Sequence, residues 1–258
     1  MAEKRHIRIA GIINLTPDSF YSGARNQEPS ALQETALRLI DEGASMLDIG
    51  ACSTRPGSEP VSAEEEMRRL EAGMPAIAGI CGSTPLSVDT FRPEVASECV
   101  RRWGVSVIND VSGGTEEMFR TVAGLGAGYI LTYSEAVSGD VLQLMCSFFK
   151  DKLERFKSAG VNNVILDPGF GFGKDLRQSY QILAHLDILE QFGLPVMAGV
   201  SRKSMAYRLL GITPEDALEA TTALNTLAMA GGAEWLRVHD VRAAVQAARI
   251  FEEYKENI

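Results

Sequence analysis

Short apolar runs alternate with longer amphipathic segments along the whole chain. Eight runs rich in Ile, Val and Leu have the length and continuity of strands buried in a parallel sheet. These runs are Ile7–Ile13, Ser45–Ile49, Leu86–Val88, Val105–Ile108, Gly128–Leu131, Asn163–Leu166, Val196–Val200 and Glu234–Val238.

The segments between these runs carry apolar residues at helical spacing. Most have a Ser, Thr, Asp, Asn or Pro near the start, as helices do. The clearest are Ser30–Glu42, Ser62–Ile80, Arg92–Arg102, Val141–Ala159 and Leu176–Phe192. Strands that alternate with helices predict parallel pairing through right-handed crossovers.

Eight strand–helix units in 258 residues predict an α/β protein with a (β/α)8 barrel as a single domain over residues 1–258. The alternative is a doubly wound open sheet, which favours a Gly-rich phosphate turn after the first strand. Here the first strand is followed by Asn14-Leu15-Thr16-Pro17-Asp18. The barrel is therefore the better prediction.

Charge and cysteine usage narrow the class of function. Lys and Arg total 25 and Asp and Glu total 34, a net charge of −9, which argues against nucleic acid and anionic membranes as partners. Cys52, Cys81, Cys99 and Cys146 are far apart and predict neither a zinc site nor a disulfide framework. With a polar start and no long apolar stretch, we expect a cytoplasmic protein.

Polar residues follow seven of the eight predicted strands. In a (β/α)8 barrel the active site lies at the carboxyl ends of the strands, so these residues are expected to converge on one mouth. They are Asn14, the loop Ser53-Thr54-Arg55-Pro56-Gly57, Asp89, Asn109 with Asp110, Asp167, Ser201-Arg202-Lys203-Ser204, and Arg237 with His239.

Some of these residues have simpler interpretations. Asp89 and Asp110 could merely cap the helices that follow them, and a single His239 is more often structural. Asp167 differs because a glycine-rich loop, not a helix, comes after it. Three cations at strand ends, Arg202, Lys203 and Arg237, would repel one another without an anion between them. Arg202 is expected to pair with a neighbouring carboxylate or with that anion.

The combined set predicts a ligand with two chemically distinct parts. Compact acceptors suit a flat heterocycle with several N–H groups; these are Asp89, Asn109 and Asp167. Cationic groups suit a diphosphate or triphosphate; these are Arg55, Lys203, Arg237 and His239.

Seven segments, in order along the chain, resemble the dihydropteroate synthase family. They are INLTPDSFYSG (13–23), DIGACSTRPGS (48–58), LSVDTFRPEVA (86–96), VIND (107–110), LDPGFGFGK (166–174), GVSRKS (199–204) and RVHDV (237–241). The resemblance implies a homodimeric (β/α)8 barrel that joins 4-aminobenzoate to 6-hydroxymethyl-7,8-dihydropterin diphosphate and releases diphosphate, with Mg2+ as cofactor.

The resemblance also implies roles for individual residues. The pterin would be held by Asp89, Asn109, Asp167 and Lys203. The diphosphate would be held by Asn14, Thr54, Arg55, Arg237 and His239, with Asn14 also at the Mg2+ site. The aminobenzoate pocket, where sulfonamides compete, would be walled by Pro56, Phe170, Lys203 and Ser204. The catalytic group would be Asp18, Arg55 and Lys203.

Two departures from the family pattern keep alternatives open. After the fifth strand, Thr132-Tyr133-Ser134 replaces a Met-His-Met type of segment, and Tyr133 is expected to stack near the pterin instead. Ala51-Cys52 replaces a glycine and an acidic residue. The alternatives are a methyltetrahydrofolate-type methyltransferase, which needs no diphosphate site, and a non-catalytic pterin-binding homologue.

Overall fold

The structure, a computed structural model, describes residues 6–15, 29–52 and 61–257. Eight strands lie within these ranges and match the eight predicted runs to within a few residues. They are β1 (Arg8–Asn14), β2 (Met46–Gly50), β3 (Leu86–Asp89), β4 (Val107–Asp110), β5 (Gly128–Thr132), β6 (Val164–Asp167), β7 (Met197–Ala198) and β8 (Trp235–Val238).

Helices separate the strands in the described ranges. They are α1 (Pro29–Asp41), α2 (Ala63–Ala78), α3 (Pro93–Trp103), α4 (Glu116–Leu125), α5 (Val141–Ala159), α6 (Leu176–Ala184), α7 (Ser204–Leu210), α8 (Leu218–Ala230) and α9 (Val241–Glu256). The predicted helix Leu176–Phe192 is two elements, because His185 (φ −128°, ψ 35°) leaves the helical conformation after α6. A 3-10 helix, Leu186–Phe192, follows it.

The strands form one parallel sheet in the order β6-β5-β4-β3-β2-β1-β8-β7. A parallel bridge between Leu166 and Val196 joins the two outer strands, and the Leu166 amide donates to the Pro195 carbonyl at 2.9 Å. This contact closes the sheet into a barrel, which confirms the predicted single-domain (β/α)8 fold.

Helix starts and ends follow local sequence rules. Asp140 caps α5 by accepting from the amides of Leu142 and Gln143, and Asp175 forms a capping box with Gln178 at the start of α6. Gly104 and Gly160 end α3 and α5 in the left-handed conformation that favours glycine. These signals fix where each helix leaves the barrel wall.

Two apolar cores lie on the two faces of the sheet, an outer core and an inner one. The larger one lies between the strands and the outer helices. The smaller one fills the barrel interior and is called the plug here; its residues are Ala10, Met46, Ile130, Ile165, Met197 and Trp235, with Val107 against it. Because successive side chains of a strand alternate in direction, the residues two positions later point into the same interior.

Among residues 6–15, 29–52 and 61–257, no helix has the length and apolar character needed to cross a membrane.

Candidate active site

The residues two positions beyond the plug form a polar layer inside the barrel. Two positions after Met46 lies Asp48, and the same spacing relates Val107 to Asn109, Ile130 to Thr132, Ile165 to Asp167 and Trp235 to Arg237. Asp48 pairs in register with Ser87, and Asp89 pairs with Asn109, so β3 adds two more members. The polar layer is therefore Asp48, Ser87, Asp89, Asn109, Thr132, Asp167 and Arg237.

Asp48 is the centre of a charged network in this layer. Arg237 donates from Nε to Asp48 Oδ2 at 2.6 Å and from Nη2 to Asp89 Oδ2 at 3.3 Å. The Asn109 amide donates to the same Asp48 oxygen at 3.1 Å. One guanidinium thus lies between two buried carboxylates, which is the arrangement that a buried cation needs.

Asp89 has an unusual protonation equilibrium. Burial raises its pKa to about 7, Arg237 partly opposes that rise, and the nearby Asp48 carboxylate adds to it. The capping interpretation of Asp89 does not hold, since the residue at the start of α3 is Arg92. Asp89 instead ends β3 with its carboxyl group inside the barrel mouth.

Asp110, the neighbouring strand-end carboxylate, is held in a turn. It accepts from the Ser112 amide at 2.8 Å and from the Tyr129 hydroxyl at 2.6 Å. These bonds occupy both carboxylate oxygens. Asp110 therefore has a local, structural role, but the capping interpretation is wrong, because the residue that caps α4 is Thr115.

Asp167 and Lys203 meet on the other side of the mouth. Asp167 accepts from the Gly169 amide at 2.7 Å, and Lys203 Nζ donates to the Phe170 carbonyl at 2.5 Å. A Cβ placed on Gly199 would lie 3.7 Å from both Asp167 Oδ2 and Lys203 Nζ. The glycine thus leaves open the space that these two groups share.

Burial opposes the charge on both groups. It raises the pKa of Asp167, against the pull of Lys203, and lowers the pKa of Lys203 to about 8, against the pull of Asp167. Such perturbed pairs in a cleft are typical of active sites.

The loop after β6 is packed directly on the end of β5. Lys174 Nζ donates to the carbonyls of Tyr133 at 2.5 Å and Phe172 at 2.9 Å. A Cβ on Gly169 would lie 2.0 Å from the Tyr133 carbonyl oxygen, so this position, with φ +70°, requires glycine. The loop is thereby held as a wall of the mouth.

The structure gives the aromatic residues of this wall different positions from those predicted. Tyr133 is 1% exposed and packs against Phe148 and Phe149 of α5, away from the barrel interior. Phe170 is also fully buried in the outer core, whereas the ring of Phe172 lies 4.7 Å from Lys203 Nζ. Phe172 is therefore the aromatic side chain beside that ammonium group.

Several buried polar atoms of the layer have no hydrogen-bond partner within the described part of the chain. Leaving such atoms unpaired is costly, and native proteins rarely do so without a reason. In the polar layer they are Asp48 Oδ1, Ser87 Oγ, Asp89 Oδ1, Asn109 Oδ1 and Thr132 Oγ1. Three of the five are pure acceptors, which indicates a ligand rich in N–H donors.

Asn14 ends β1 beside this layer and offers an oxygen that Mg2+ could use. Gly50 pairs with it in register, and a Cβ there would lie 3.3 Å from Asn14 Oδ1. Mg2+ commonly takes one or two protein oxygens together with substrate phosphate and water, so Asn14 fits such a site. Within the described ranges no group of three or more His, Cys, Asp or Glu could hold a metal by itself.

The segment after β7 contacts the turn after β8. Ser201 Oγ lies 3.0 Å from His239 Nδ1 and accepts from the His239 amide at 3.2 Å. Arg202 binds Asp240 through two parallel hydrogen bonds of 2.9 and 3.0 Å. The expectation that Arg202 pairs with a neighbouring carboxylate is confirmed.

The predicted site residues fall into two groups. The structure brings Asn14, Asp89, Asn109, Asp167, Lys203, Arg237 and His239 to the carboxyl ends of the strands, with Ser204 opening α7. Asp18, Thr54, Arg55 and Pro56 lie outside the described residues.

Sequence reasoning missed two buried acidic residues. Asp48 lies in the otherwise apolar strand Met46–Gly50, and a charged residue inside such a run was a usable signal. Glu66 is fully buried on α2 and binds Arg92. Its spacing of four and eight residues from the apolar Leu70 and Met74 was a usable signal, because that spacing places it on the buried face of α2.

The fold and this mouth together define a (β/α)8-barrel enzyme, in which buried acids and cations gather at the carboxyl ends of the strands.

Comparison with known proteins gives the particular family. The pterin binding enzyme family matches residues 10–239, so the chain belongs to this family. The dihydropteroate synthase of Escherichia coli is 37% identical, over 96% of this chain and 91% of that protein.

Solved structures agree with this assignment. Dihydropteroate synthase from Clostridium difficile, solved with pteroic acid, has a TM-score of 0.90 at 32% identity and covers 98% of both chains. The Yersinia pestis enzyme with a sulfonamide drug has a TM-score of 0.90 at 34% identity, over 98% of this chain and 96% of that one. The Xanthomonas albilineans enzyme with 4-aminobenzoic acid has a TM-score of 0.89 at 38% identity, over 97% and 93%.

Proposed function

We propose that this protein is a dihydropteroate synthase. It joins 4-aminobenzoate to 6-hydroxymethyl-7,8-dihydropterin diphosphate and yields 7,8-dihydropteroate and diphosphate, in folate biosynthesis. The observation that carries the proposal is the set of buried acceptors in the polar layer that have no partner among the residues that the structure describes. A reduced pterin ring presents ring and exocyclic N–H groups that such acceptors bind, and the plug supplies an apolar floor beneath it.

The pterin is assigned to Asp89, Asn109, Asp167 and Lys203, with Asp48 added from the structure. Asp48 and Asp89 both accept hydrogen bonds from Arg237, and Asp48 also accepts one from the Asn109 side-chain amide. Asp48 therefore orients Arg237 and Asn109. Its second oxygen is buried without a partner in the described chain and is available to the ring. No specific feature of this mouth favours the methyltetrahydrofolate-type methyltransferase or the non-catalytic pterin-binding homologue.

The diphosphate is assigned to the outer edge of the mouth, beside Asn14, Arg237 and His239, with Thr54 and Arg55. When bound with diphosphate, Mg2+ would neutralise charge on the leaving group. Arg237 reaches inward to two carboxylates, so we expect its guanidinium to be shared between the acidic residues and the ligand. Removal of divalent metal with a chelator should abolish turnover, and restoring Mg2+ should recover it.

The aminobenzoate is assigned to the space beside Lys203 and Ser204, with Pro56 and the loop that contains Phe170. Phe172 is added here because its ring lies next to the Lys203 ammonium group. This space borders the pterin site across Gly199. The amine of one substrate can therefore approach the methylene carbon of the other.

The reaction needs no covalent enzyme intermediate. A carbon–nitrogen bond forms at the methylene carbon while the carbon–oxygen bond to diphosphate breaks, and the new amine loses a proton. The methylene carbon gains positive character that the ring can share. The buried carboxylates of Asp89 and Asp167 stabilise that charge, and Asp18, Arg55 and Lys203 complete the catalytic group.

Product detection tests the proposal. Purified protein is incubated with the pterin diphosphate, 4-aminobenzoate and Mg2+, and dihydropteroate and diphosphate are measured together. We expect equal amounts of both products and competition by a sulfonamide against 4-aminobenzoate. Diphosphate release without dihydropteroate, or neither product, would contradict the proposal.

The homodimer and the cytoplasmic location stay predictions. Leu209 and Leu210 of α7 and Leu227 of α8 are each more than half exposed, and such an apolar surface supports an interface between two copies. Sedimentation should give a dimer for the wild type and a monomer for Leu227→Glu. Leu37→Glu, at an exposed position of α1, is the control that should stay dimeric, and a monomeric wild type would contradict the prediction.

A further inference from the structure

Arg202 has a backbone conformation that its residue type disfavours. Across residues 6–15, 29–52 and 61–257 it is the one non-glycine residue with a positive φ, at 53°. Residues other than glycine adopt this conformation at an energetic cost, and they keep it only where surrounding contacts impose it. The contacts of Arg202 therefore identify what imposes it.

Arg202 contacts three other segments through its guanidinium and its backbone amide. Nε and Nη2 donate to the two carboxylate oxygens of Asp240 at 2.9 and 3.0 Å. Nη1 donates to the carbonyls of Pro214 and Glu215 at 2.8 and 2.7 Å. The backbone amide donates to Thr221 Oγ1 of α8 at 3.0 Å. The loop after β7 is thus tied to the start of α8 and to the turn after β8.

Asp240 departs from the usual behaviour of its position as well. It is the residue before the first turn of α9, where an aspartate normally accepts from a backbone amide of that turn. Asp240 makes no such bond, and its two oxygens accept from Arg202 instead. The Arg202–Asp240 contact thus combines a disfavoured positive φ at Arg202 with a missing capping bond at Asp240. Natural proteins depart from local preferences in this way chiefly at functional sites.

The contact lies between two residues of the proposed site. Arg202 precedes Lys203, whose ammonium group faces Asp167 across Gly199. Asp240 follows His239, whose ring lies against Ser201. The Arg202–Asp240 pair, together with the contacts between Ser201 and His239, therefore links the loops that carry Lys203 and His239.

We propose that Arg202 is a positioning residue for the transfer reaction. Acting through Asp240, it fixes the placement of Lys203, where the two substrates meet, relative to His239 at the diphosphate. This inference rests on the proposed function, which assigns the roles of Lys203 and His239. A misplacement of about 1 Å at the reacting atoms can lower the rate about a hundredfold, even when the mutated residue is far from them.

The experiment is a double-mutant cycle on the full chain. Arg202→Met, Asp240→Asn and the double variant are compared with Arg155→Met, which removes an exposed arginine paired with Asp151 and Glu116 on the outside of the barrel. We expect each single variant of the Arg202–Asp240 pair to lose about tenfold or more in kcat per folded molecule. The double variant should be no worse than the worse single one, and Arg155→Met should match the wild type.

Arg202→Lys keeps the charge but not the two parallel hydrogen bonds, so it should fall between the wild type and Arg202→Met. If Arg202→Met fails to fold, Arg202→Lys takes its place in the comparison of kcat values. Equal kcat in Arg202→Met and Arg155→Met, or losses that multiply in the double variant, would overturn the inference while leaving the proposed function intact. An inactive wild type would overturn both.

Discussion

The interior of the barrel contains two layers with opposite properties, separated by only two residues along each strand. The plug is apolar except for the indole N–H of Trp235, and its side chains pack against one another. The polar layer is almost as buried, with Arg237 partly exposed, yet it keeps acceptor atoms without donors in the described chain. The difference shows that the plug serves stability and that the polar layer gives up stability for binding.

Lys203→Ala should give the largest effect on activity and should distinguish most clearly between a loss of activity and a loss of stability. Loss of the ammonium group between the substrates is expected to lower kcat/KM about a thousandfold, which is about 4 kcal/mol of transition-state stabilisation. Because burial already disfavours that charge, the melting temperature should stay within about 5 °C of wild type. Near-normal turnover in a steady-state assay would contradict the assignment.

Met46→Ala tests the plug in the opposite direction. Met46 is fully buried and lies two residues before Asp48. Removing it leaves a cavity and should lower the free energy of unfolding by about 2–5 kcal/mol. Urea denaturation measures this loss, and kcat well below the melting temperature should fall far less than in Lys203→Ala, because the plug is assigned to the floor beneath the pterin and not to the reacting atoms. A loss of turnover as large as that of Lys203→Ala, with stability unchanged, would show that the layers are not separable.

Asp89→Asn should reveal the cost of the polar layer through its pH dependence. Burial raises the pKa of Asp89 to about 7 in the folded protein, above its unfolded value. Its protonated form therefore stabilises the fold below about pH 4, and that contribution is lost as the pH rises through 7. The asparagine cannot ionise, so it should be more stable than wild type at pH 8, by about 1–3 kcal/mol, and similar near pH 4.

Unfolding free energies at several pH values, together with calorimetric titration of the pterin diphosphate, check this prediction. The same variant should lose pterin affinity. A stability difference that is constant with pH would contradict the raised pKa of Asp89.

Thr132→Val should give the smallest effect. It replaces a buried hydroxyl group that has no partner in the described chain by a methyl group of similar size. Stability should rise by up to about 1 kcal/mol, and the KM for the pterin diphosphate should increase a few-fold if the hydroxyl binds the ring. Lower stability than wild type would mean that the hydroxyl group already has a partner.

The barrel could be predicted from the sequence because each buried strand is a continuous apolar run and each helix keeps its spacing and its end signals. The boundary errors are largest where local geometry decides, as at His185, which splits one predicted helix, and at β7, which is reduced to Met197–Ala198.

The site was predictable where a polar residue ends a strand, as with Asp89 and Asp167. It was not predictable where a side chain's direction matters. Tyr133 and Phe170 point into the outer core, and Phe172 stands beside Lys203 instead. The network around Asp48 depends on register between distant strands, which the order of residues along one strand does not contain.

The central claim is that the unpaired acceptors of the polar layer bind the pterin ring. A crystal structure with the pterin diphosphate bound tests it most directly. The account predicts that the ring lies on the plug, with its nitrogen atoms within about 2.7–3.2 Å of oxygens of Asp48, Asp89, Asn109 or Asp167. A ring bound outside the barrel mouth, with these oxygens still unpaired, would contradict it.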